Sequence, residues 1–574
     1  MGRLRISFVF LGLTLGVFNL NILAFSQEPP ASQTAGGVSR QEKEIENQGI
    51  LEREIKTKKP SKDELTQEEI ATADKGPKVL ISKIVVEGAT LLSEKAIPDI
   101  VSSYEGKELT LKDMQKIADL ITDEYRKKGY VTSRAYLPPQ TIRDGMLIIR
   151  VVEGKLGKLD IKGNRYFSTF LLKREIGLKP EGYFDYSALQ RSLIYINEHP
   201  DLVAKAILMP GKEPGTTDIV IEVKDTLPLH LGFAYDNYGS RYIDKDRYAL
   251  TLEHNNLCGR NDSLYAKLQT SEGDRLILQQ FRYAYPITRR LELGGYLLYS
   301  KLKLGQEFED LESRGNAKIY GAFSNYNIIE EDNLDVRFNL GFDYKTISNE
   351  LLGVQLSRDQ LSVFKTGFDV DTDDSWGRTI FTAELDTGIP HFLGAMSAKD
   401  PDASRLGAGG KFTKGVFNLF RLQPMPLSTA LLFKNSFQYS NNTLAASEQF
   451  PIGGATSVRG YPPGEHSGDK GLYSALELSV PLYGLSKNIS VPLRKEKLYD
   501  AFRFVLFWDI GRVSFNNVQA GEDKAQTLRS AGFGGRLTIW EDFECRVEVG
   551  YPLGGRTPSD GDHAHTWVEA RLKL

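Results

Sequence analysis

The chain has 574 residues and a formal net charge of −3, with 72 basic residues against 75 acidic ones. Its length exceeds one ordinary compact domain, and its balanced charge excludes the basic surface of a nucleic-acid-binding protein. Apolar residues make up 41% of the chain, too few for a bundle of membrane helices. This proportion is typical of a transmembrane β-barrel, in which every second strand residue faces lipid.

The first 26 residues have the pattern of a secretory signal peptide. Two arginines open the segment, an uncharged apolar stretch follows, and Ala24 and Ser26 place small residues where a signal peptidase cuts. The stretch is also long enough for an uncleaved anchor, but Asn19 and Asn21 within it favour cleavage. We therefore expect export from the cytoplasm.

Residues 27–77 form a charged segment that is rich in Glu, Lys and Gln and poor in aromatic residues. Within it, residues 39–59 have helical spacing and a thin apolar stripe, interrupted by Gly49 at a cost of about 1 kcal/mol. Composition alone favours a solvated linker with a marginal helix.

Residues 78–155 predict a small α/β unit of the order β-α-α-β-β. A strand-like run over 79–86 is followed by helical segments over 93–103 and 111–128, the second with Thr110 as its N-cap. Two further strand-like runs complete the unit. Residues 156–227 repeat the same order, so we expect two copies of one fold.

From residue 228 to 574, helical spacing gives way to alternation of apolar and polar residues, broken by turns. The clearest stretch is 334–345, where Asp343 and Lys345 lie on the polar face. A soluble sandwich also alternates, but here the polar face is densely charged and the apolar face wide and aromatic. A Lys or Arg at the lipid midplane costs about 2–4 kcal/mol, which explains this separation. We predict an antiparallel transmembrane β-barrel of about sixteen strands.

Two cysteines, Cys258 and Cys545, exclude a disulfide-rich scaffold and any CxxC site for a metal or redox group. Beyond residue 26, no apolar run approaches the length of about 20 residues that a membrane helix needs. A chain that spans a membrane without such helices must form a closed barrel, because lipid leaves no other way to satisfy the backbone.

Short motifs mark three places in the chain. The first is Tyr-Leu-Pro-Pro-Gln at 136–140, followed by Val-Val-Glu-Gly at 151–154. The second, at the start of the barrel, is Asp236, Asn237, Tyr238 and Gly239, followed by Asn255, Asn256, Gly259 and Asp262. The third is the tetrad Val458, Arg459, Gly460 and Tyr461 in a glycine-rich loop. On these motifs the chain resembles the two-partner secretion transporters of the TpsB type, the haemolysin and haemagglutinin secretion-activation family. That family belongs to the outer-membrane assembly superfamily, in which polypeptide-transport-associated (POTRA) domains precede a β-barrel.

The resemblance implies that residues 78–155 and 156–227 are POTRA domains and that the tetrad lies in a long sixth extracellular loop folded into the lumen. Alternation around Trp508 predicts that Phe507, Asp509 and Gly511 face the lumen, where Asp509 can meet Arg459. A four-residue motif alone is weak evidence for this pairing, since Arg459 can simply be a solvated loop residue. Together with the repeats, it indicates a gating or structural pair, because a confined Arg–carboxylate pair is directional.

The resemblance also implies how the protein works. The client is one large secreted protein with an N-terminal secretion domain, captured unfolded at the edge of a periplasmic POTRA sheet and passed through the barrel. Residues 39–59 then plug the resting pore. We expect a monomer in outer-membrane lipid, with no nucleic acid, cofactor, metal or catalytic residue. One departure from the family pattern is the C-terminal Leu574, where an aromatic residue is usual.

Three alternatives stay open. An assembly factor for other outer-membrane proteins shares the barrel, the tetrad and the repeats, although two repeats and the motif at 236–239 favour secretion. A diffusion porin has no use for docking domains. A barrel-linked hydrolase lacks GxSxG and HExxH motifs here, and His563 with His565 is more often a solvated loop pair than a metal site.

Overall fold

The computed structural model describes residues 29–56, 77–93, 95–179, 182–331, 333–483, 489–490, 497–539 and 542–574. The predicted signal peptide and residues 57–76 of the charged segment lie outside this part of the chain. The chain divides into two compact units, Lys58–Pro228 and the combination of Met1–Thr57 with Leu229–Leu574. The second unit begins with helix α1 (Ala35–Lys56).

The first repeat contains a three-stranded sheet with two helices. Its elements are β1 (Val79–Ile81), β2 (Lys83–Glu87), α2 (Ala96–Val101), β3 (Lys107–Leu109), α3 (Leu111–Lys127), β4 (Arg134–Tyr136) and β5 (Met146–Val152). Strand β5 is central, parallel to β2 and antiparallel to β4. Thr110 caps α3 as predicted, since its hydroxyl accepts a hydrogen bond from the Asp113 N–H.

The run predicted as one strand over 79–86 is two strands. The chain turns at Ser82, whose N–H donates to the Gly145 carbonyl at 2.8 Å. As a result, β1 leaves the main sheet and pairs with β3 instead. The buried residues Ile81 and Ile84 are three positions apart on either side of this turn, which a single strand with a period of two does not allow.

The second repeat has the same architecture. Its elements are β6 (Lys155–Lys162), α4 (Thr169–Ile176), α5 (Tyr186–Asn197), β7 (Leu202–Pro210) and β8 (Thr216–Asp225). Strand β8 is central, parallel to β6 and antiparallel to β7. Ser168 and Asp185 cap the two helices, whose apolar faces cover the sheet and bury Leu171, Leu189 and Ile219. The predicted order β-α-α-β-β is confirmed for both repeats.

The Val-Val-Glu-Gly motif ends the first repeat with a turn held by Glu153. Its carboxylate accepts hydrogen bonds from the N–H groups of Thr90 and Leu91 and from the hydroxyls of Thr90 and Tyr125. Burial raises the pKa of Glu153, but these hydrogen bonds outweigh burial and hold its pKa below the usual value. At Gly154 a Cβ atom would lie 2.1 Å from Thr132 Oγ1, so a side chain is excluded there.

Sixteen antiparallel strands close into the barrel. In chain order the elements are β9 (Leu229–Asp236), β10 (Arg247–His254), β11 (Ser263–Ser271), β12 (Leu276–Pro286), β13 (Leu291–Lys303), β14 (Arg314–Glu331), β15 (Leu334–Leu351), β16 (Val354–Asp374), β17 (Gly377–Gly388), β18 (Phe412–Met425), β19 (Thr429–Ser440), the separate pair β20 (Phe450–Ile452) and β21 (His466–Gly468), then β22 (Lys470–Pro481), α6 (Leu498–Ala501), β23 (Phe502–Ser514), β24 (Ala525–Ile539), β25 (Phe543–Pro552) and β26 (His565–Lys573). The predicted fold class and strand number are confirmed.

The barrel closes between its first and last strands. Strands β9 and β26 pair from Asp236 opposite Glu569 to Gly232 opposite Lys573. Leu574 then exchanges two backbone hydrogen bonds with Leu231, at 2.7 and 3.1 Å. The C-terminal leucine therefore takes part in closure although it departs from the expected aromatic residue.

We call the end where β9 begins and β26 ends the lower rim, and the opposite end the upper rim. Eight upper loops follow alternate strands, and the sixth of them, residues 441–469, is the longest. None of the described helices is long and apolar enough to cross a membrane.

Candidate functional site

The sixth upper loop is folded into the barrel lumen. Val458 and Tyr461 are fully buried and pack with Ile452, Tyr473 and Val513 in one apolar cluster. The loop approaches the wall so closely that glycine is required on both sides. A Cβ at Gly511 would lie 2.7 Å from Val458 Cγ2, and one at Gly460 would lie 2.7 Å from the Pro552 nitrogen.

Arg459 is held by Asp509 on β23. Its Nη2 donates to Asp509 Oδ1 at 2.6 Å, and its Nε donates to Asp509 Oδ2 at 3.0 Å, which is the bidentate geometry expected of a confined Arg–carboxylate pair. The Arg459 backbone N–H also donates to Asp509 Oδ2 at 3.1 Å. The structure thus brings together the two residues that alternation and the family resemblance paired.

Two further carboxylates contact Arg459. Its Nη1 donates to Glu477 Oε1 on β22 at 2.9 Å and to Glu548 Oε2 on β25 at 3.1 Å. Sequence analysis named neither as a partner; in the structure both are buried on the lumen side of their strands. Pairing across strands that are distant in sequence has no local signal, so only the closed barrel shows that three carboxylates meet one guanidinium.

Two aromatic side chains, those of Phe507 and Trp567, lie next to the Arg459–Asp509 pair. The Arg459 Cζ lies 3.5 Å from the centre of the Phe507 ring, a cation–π contact that covers one face of the guanidinium. The Trp567 Nε1 on β26 donates to the Arg459 carbonyl at 2.8 Å. Arg459 is 2% exposed, so its charge depends on protein groups for stabilisation.

The motif Asp236, Asn237, Tyr238 and Gly239 forms the seam of the barrel. The Asn237 amide bridges to β26, donating to the Thr566 carbonyl and accepting from the Val568 N–H, each at 2.8 Å. The Tyr238 ring lies 5.9 Å from the Trp567 ring, edge to face. Through Trp567, the seam motif therefore touches the same loop that carries Arg459.

The rest of the seam motif fixes the first upper loop and reaches helix α1. A Cβ at Gly239 would lie 1.9 Å from the Asp244 carbonyl oxygen, so only glycine fits. Asp236 accepts a hydrogen bond from Arg247 Nε at 2.6 Å, and Arg247 also donates to Glu42 on α1.

Helix α1 spans the lumen from wall to wall. Glu42 accepts a hydrogen bond from Gln269 on β11 at 3.1 Å, while Gln48 donates to Ser436 on β19 at 2.7 Å. Strands β11 and β19 lie on opposite walls, since they occupy the third and eleventh positions of the barrel order. The helix is therefore inside the barrel, and it starts at Ala35 rather than at residue 39 as predicted.

The earlier start has a packing explanation. Ala35 and Val38 join a buried apolar cluster with Leu276 and Leu302 of the wall. A Cβ at Gly36 would lie 3.0 Å from the Ser447 nitrogen, so this turn also packs closely on the sixth loop. At the other end, residues 57–59 of the predicted helix lie outside the described part of the chain.

Glu52 anchors the C-terminal half of α1 to the wall. It forms ion pairs with Lys434 on β19 at 2.9 Å, Arg536 on β24 at 3.0 Å and Arg546 on β25 at 3.1 Å. Below it, Leu51 and Ile55 pack with wall residues in a further apolar cluster. The helix thus has both charged and apolar anchors.

The anchors of the helix and of the sixth loop share residues. Glu477 contacts Arg459 and also Lys434 and Arg536, at 2.9, 2.7 and 3.0 Å. Glu548 contacts Arg459 at 3.1 Å and Arg536 at 2.5 Å. Consequently one continuous charge network joins Glu52 on the helix to Arg459 on the loop.

One group of side chains has the composition of a metal site. The ligand atoms of Asp560, Asp562 and His565 lie within 4.8 Å of one another in the eighth upper loop. The neighbouring His563 is not part of this group. Lys245 lies 3.7 Å from Asp562 and His565 Nε2 lies 2.9 Å from Asp560, so protein cations and hydrogen bonds already serve these carboxylates.

Comparison with known proteins gives two family matches. Residues 215–537 match the haemolysin secretion/activation proteins ShlB/FhaC/HecB, and residues 79–154 match the ShlB-type POTRA domain. Among curated proteins, the heme/hemopexin transporter protein HuxB of Haemophilus influenzae is 25% identical over 484 residues, which are 82% of either chain.

Solved structures share the architecture. CdiB from Escherichia coli superposes with a TM-score of 0.73 at 20% identity, over 93% of this chain and 98% of its own. BamA from Haemophilus ducreyi lacking POTRA domains 1–3 gives a TM-score of 0.52 at 14% identity, over 87% of this chain and 100% of its own. At these identities the likeness concerns the fold.

Proposed function

This chain belongs to the haemolysin secretion/activation family ShlB/FhaC/HecB, and from that premise we propose how it carries a client across the membrane. It is a two-partner secretion transporter of the outer membrane, with POTRA domains in the periplasm and a sixteen-stranded barrel in the bilayer. Members of this family are transporters, and we propose that this one has no catalytic centre, cofactor, metal or nucleic-acid partner and acts as a monomer in lipid.

The client in this proposal is one large secreted protein with an N-terminal secretion domain. HuxB, a relative, is a heme/hemopexin transporter protein, so export of a specific protein has a precedent within the match. The client arrives unfolded, and the repeats, divided at 78–155 and 156–227 ahead of the barrel at 228–574, bind it as an added strand.

The edge strand β7 of the second repeat suits this role. It is nine residues long, and the alternate residues Val203, Lys205, Ile207 and Met209 of its solvent face are exposed. An extended client segment that pairs with β7 gains backbone hydrogen bonds, while these apolar side chains contact every second client residue. Such pairing needs no fixed client sequence, only an extended conformation.

The observation that carries the gating part of the proposal is the position of α1 across the lumen. With the helix in place, no unfolded chain can pass, so the helix must leave before transport. Its polar anchors favour reversible release, because buried ion pairs recover much less net energy than apolar packing of the same volume. The seam motif and the tetrad then hold the wall and the sixth loop while the helix moves.

A disulfide lock tests this step. Ser39 Oγ on α1 and Ser300 Oγ on β13 lie 3.2 Å apart, which suits a disulfide between cysteines at these positions. We expect the variant Ser39→Cys/Ser300→Cys to stop secreting the client when oxidised and to recover with a reductant. The single variant Ser39→Cys is the control, since it adds a thiol without the lock. Normal secretion by the oxidised double variant would exclude release of the helix.

An assembly factor for other barrels remains the second candidate, supported by the fold shared with BamA. The two functions differ in their products, since a secretion transporter delivers one protein to the medium and an assembly factor serves many barrels. The family match and the length of the HuxB match support secretion.

A further inference from the structure

Basic side chains on the lipid-facing surface of the barrel are concentrated at one end. Lysine and arginine side chains point outward near the upper rim on several strands, namely Lys301 and Lys303 on β13, Arg314 and Lys318 on β14, Arg358 on β16, Lys470 on β22, Arg512 on β23 and Arg529 on β24. Near the lower rim, the outward-facing basic side chain on the described strands is Arg421, which is paired with Asp374 at 2.7 Å.

Register shows that these side chains face outward. On β13, the Leu297 side chain is 48% exposed and faces outward, whereas Ser300 faces inward and is fully buried against α1. Lys301 and Lys303 share the parity of Leu297, because the pairing of β13 continues without a bulge to its upper end. Side chains two apart on a strand lie on one face.

Four of the basic residues form one cluster, which we call the upper basic patch: Lys301, Lys303, Arg314 and Lys318. Lys303 lies directly opposite Arg314, and Lys318 lies opposite Tyr299. Like charges directly opposite each other destabilise a sheet, so this arrangement is unfavourable without an anionic partner. All four side chains are exposed.

The patch sits at the height of lipid headgroups. On the same face, Tyr299 lies level with Lys318, the lowest member of the patch, and Tyr320 lies below both; Lys318 Nζ is 5.9 Å from the centre of the Tyr299 ring. Outward-facing aromatic residues mark the boundary of the apolar band in transmembrane barrels. The ammonium groups above this boundary therefore meet the headgroups of the outer leaflet.

Protein carboxylates neutralise the patch only in part. Arg314 forms an ion pair with Glu312 at 2.9 Å and lies opposite Glu350 on β15. Lys301 and Lys303 form no ion pair with any carboxylate in the part of the chain that the structure describes. Lys318 likewise forms no ion pair in that part of the chain, so four basic groups face two acidic ones and three ammonium groups are available to an outside anion.

We propose that the upper basic patch binds the phosphate groups of the phosphorylated glycolipid in the outer leaflet of the membrane. The chemistry follows from the position, since clustered Lys and Arg side chains at headgroup height attract phosphorylated headgroups. The basic residues on β22, β23 and β24 give another part of the upper rim the same attraction for phosphorylated headgroups. Lipid binding at this patch does not involve the client.

The test measures binding of purified lipopolysaccharide to the full-length protein in detergent, with bound glycolipid counted by native mass spectrometry. For Lys301→Ala/Lys303→Ala/Lys318→Ala we expect affinity to fall by about a hundredfold, at about fivefold per basic group removed. The matched control, Lys162→Ala/Lys179→Ala/Lys205→Ala, removes three exposed lysines of the second repeat and should bind like the parent protein.

A second arm uses only the parent protein, so it does not depend on folding of the variant. Dephosphorylated glycolipid should bind at least tenfold more weakly, and millimolar inorganic phosphate should fail to displace the phosphorylated form. Equal binding of the two glycolipids, or of the triple variant and its control, would overturn the proposal. Displacement by inorganic phosphate would assign the patch to the free anion instead of the lipid.

Discussion

We propose that Arg459 stabilises the sixth loop, because its guanidinium contacts three buried carboxylates on three strands. Asp509 supplies a bidentate partner, and Glu477 and Glu548 each accept one further hydrogen bond. The loop therefore has one residue whose loss affects β22, β23 and β25 together.

At this residue we predict that Arg459→Ala impairs secretion while the barrel stays in the membrane. Breaking a buried pair from one side costs about 3–5 kcal/mol, which is enough to release the loop but less than the whole pairing energy of sixteen strands. Arg459→Lys should retain part of the activity, because it keeps the charge without the fork. Lys411→Ala, at an exposed position of the fifth upper loop, is the control.

The measurement is client protein in the medium against barrel in the membrane fraction, the latter detected by its heat-modifiable migration on gels. Normal secretion by the Arg459→Ala variant would remove the role assigned to the tetrad. Loss of the folded barrel band would instead show that the pair serves assembly.

Whether the contacts of these residues can be predicted depends on how far apart the contacting residues lie in the sequence. The lumen orientation of Phe507, Asp509 and Gly511 follows from alternation within one strand, and the structure places all three there. Glu477 and Glu548 have the same local signal, but nothing local states which guanidinium they meet. Their convergence follows only from closure of the barrel.

At the scale of elements, helix α1 is held by hydrogen bonds and ion pairs to polar side chains of the barrel wall on several sides. Composition indicated a solvated linker, since the helix has few apolar residues to bury. In the lumen its polar residues find partners on the inward faces of the strands, as Ser39 does on Ser300 and Gln48 on Ser436. A helix that packs against a polar cavity cannot be identified by an apolar stripe.

We predict that Glu52→Gln opens the pore more often. The substitution removes the carboxylate on the helix that Lys434, Arg536 and Arg546 all contact, which should weaken docking of the helix by roughly 3 kcal/mol. Conductance of the purified protein in planar bilayers should rise and channel openings should lengthen. Glu54→Gln removes an exposed carboxylate two residues away and serves as the control. The same conductance in both variants would argue against Glu52 as an anchor.

At the scale of the whole molecule, the proposed function assigns capture of the client to the two repeats and its passage to the barrel. Repeat order, fold class and strand number were all predictable, because each depends on periodicity within one segment of the chain. The positions of α1 and of the sixth loop inside the barrel were implied by the family resemblance alone, since they depend on contacts between segments far apart in sequence. Ion pairs join the tetrad to the helix through Glu477, Arg536 and Glu52, and join the seam motif to the helix through Arg247 and Glu42.

The most direct test of secretion as the function compares the culture-medium and outer-membrane proteomes of cells with and without this gene. The account predicts that one large protein disappears from the medium while other barrels keep their abundance. A general fall in outer-membrane barrels, with no single protein lost from the medium, would contradict it and identify an assembly factor.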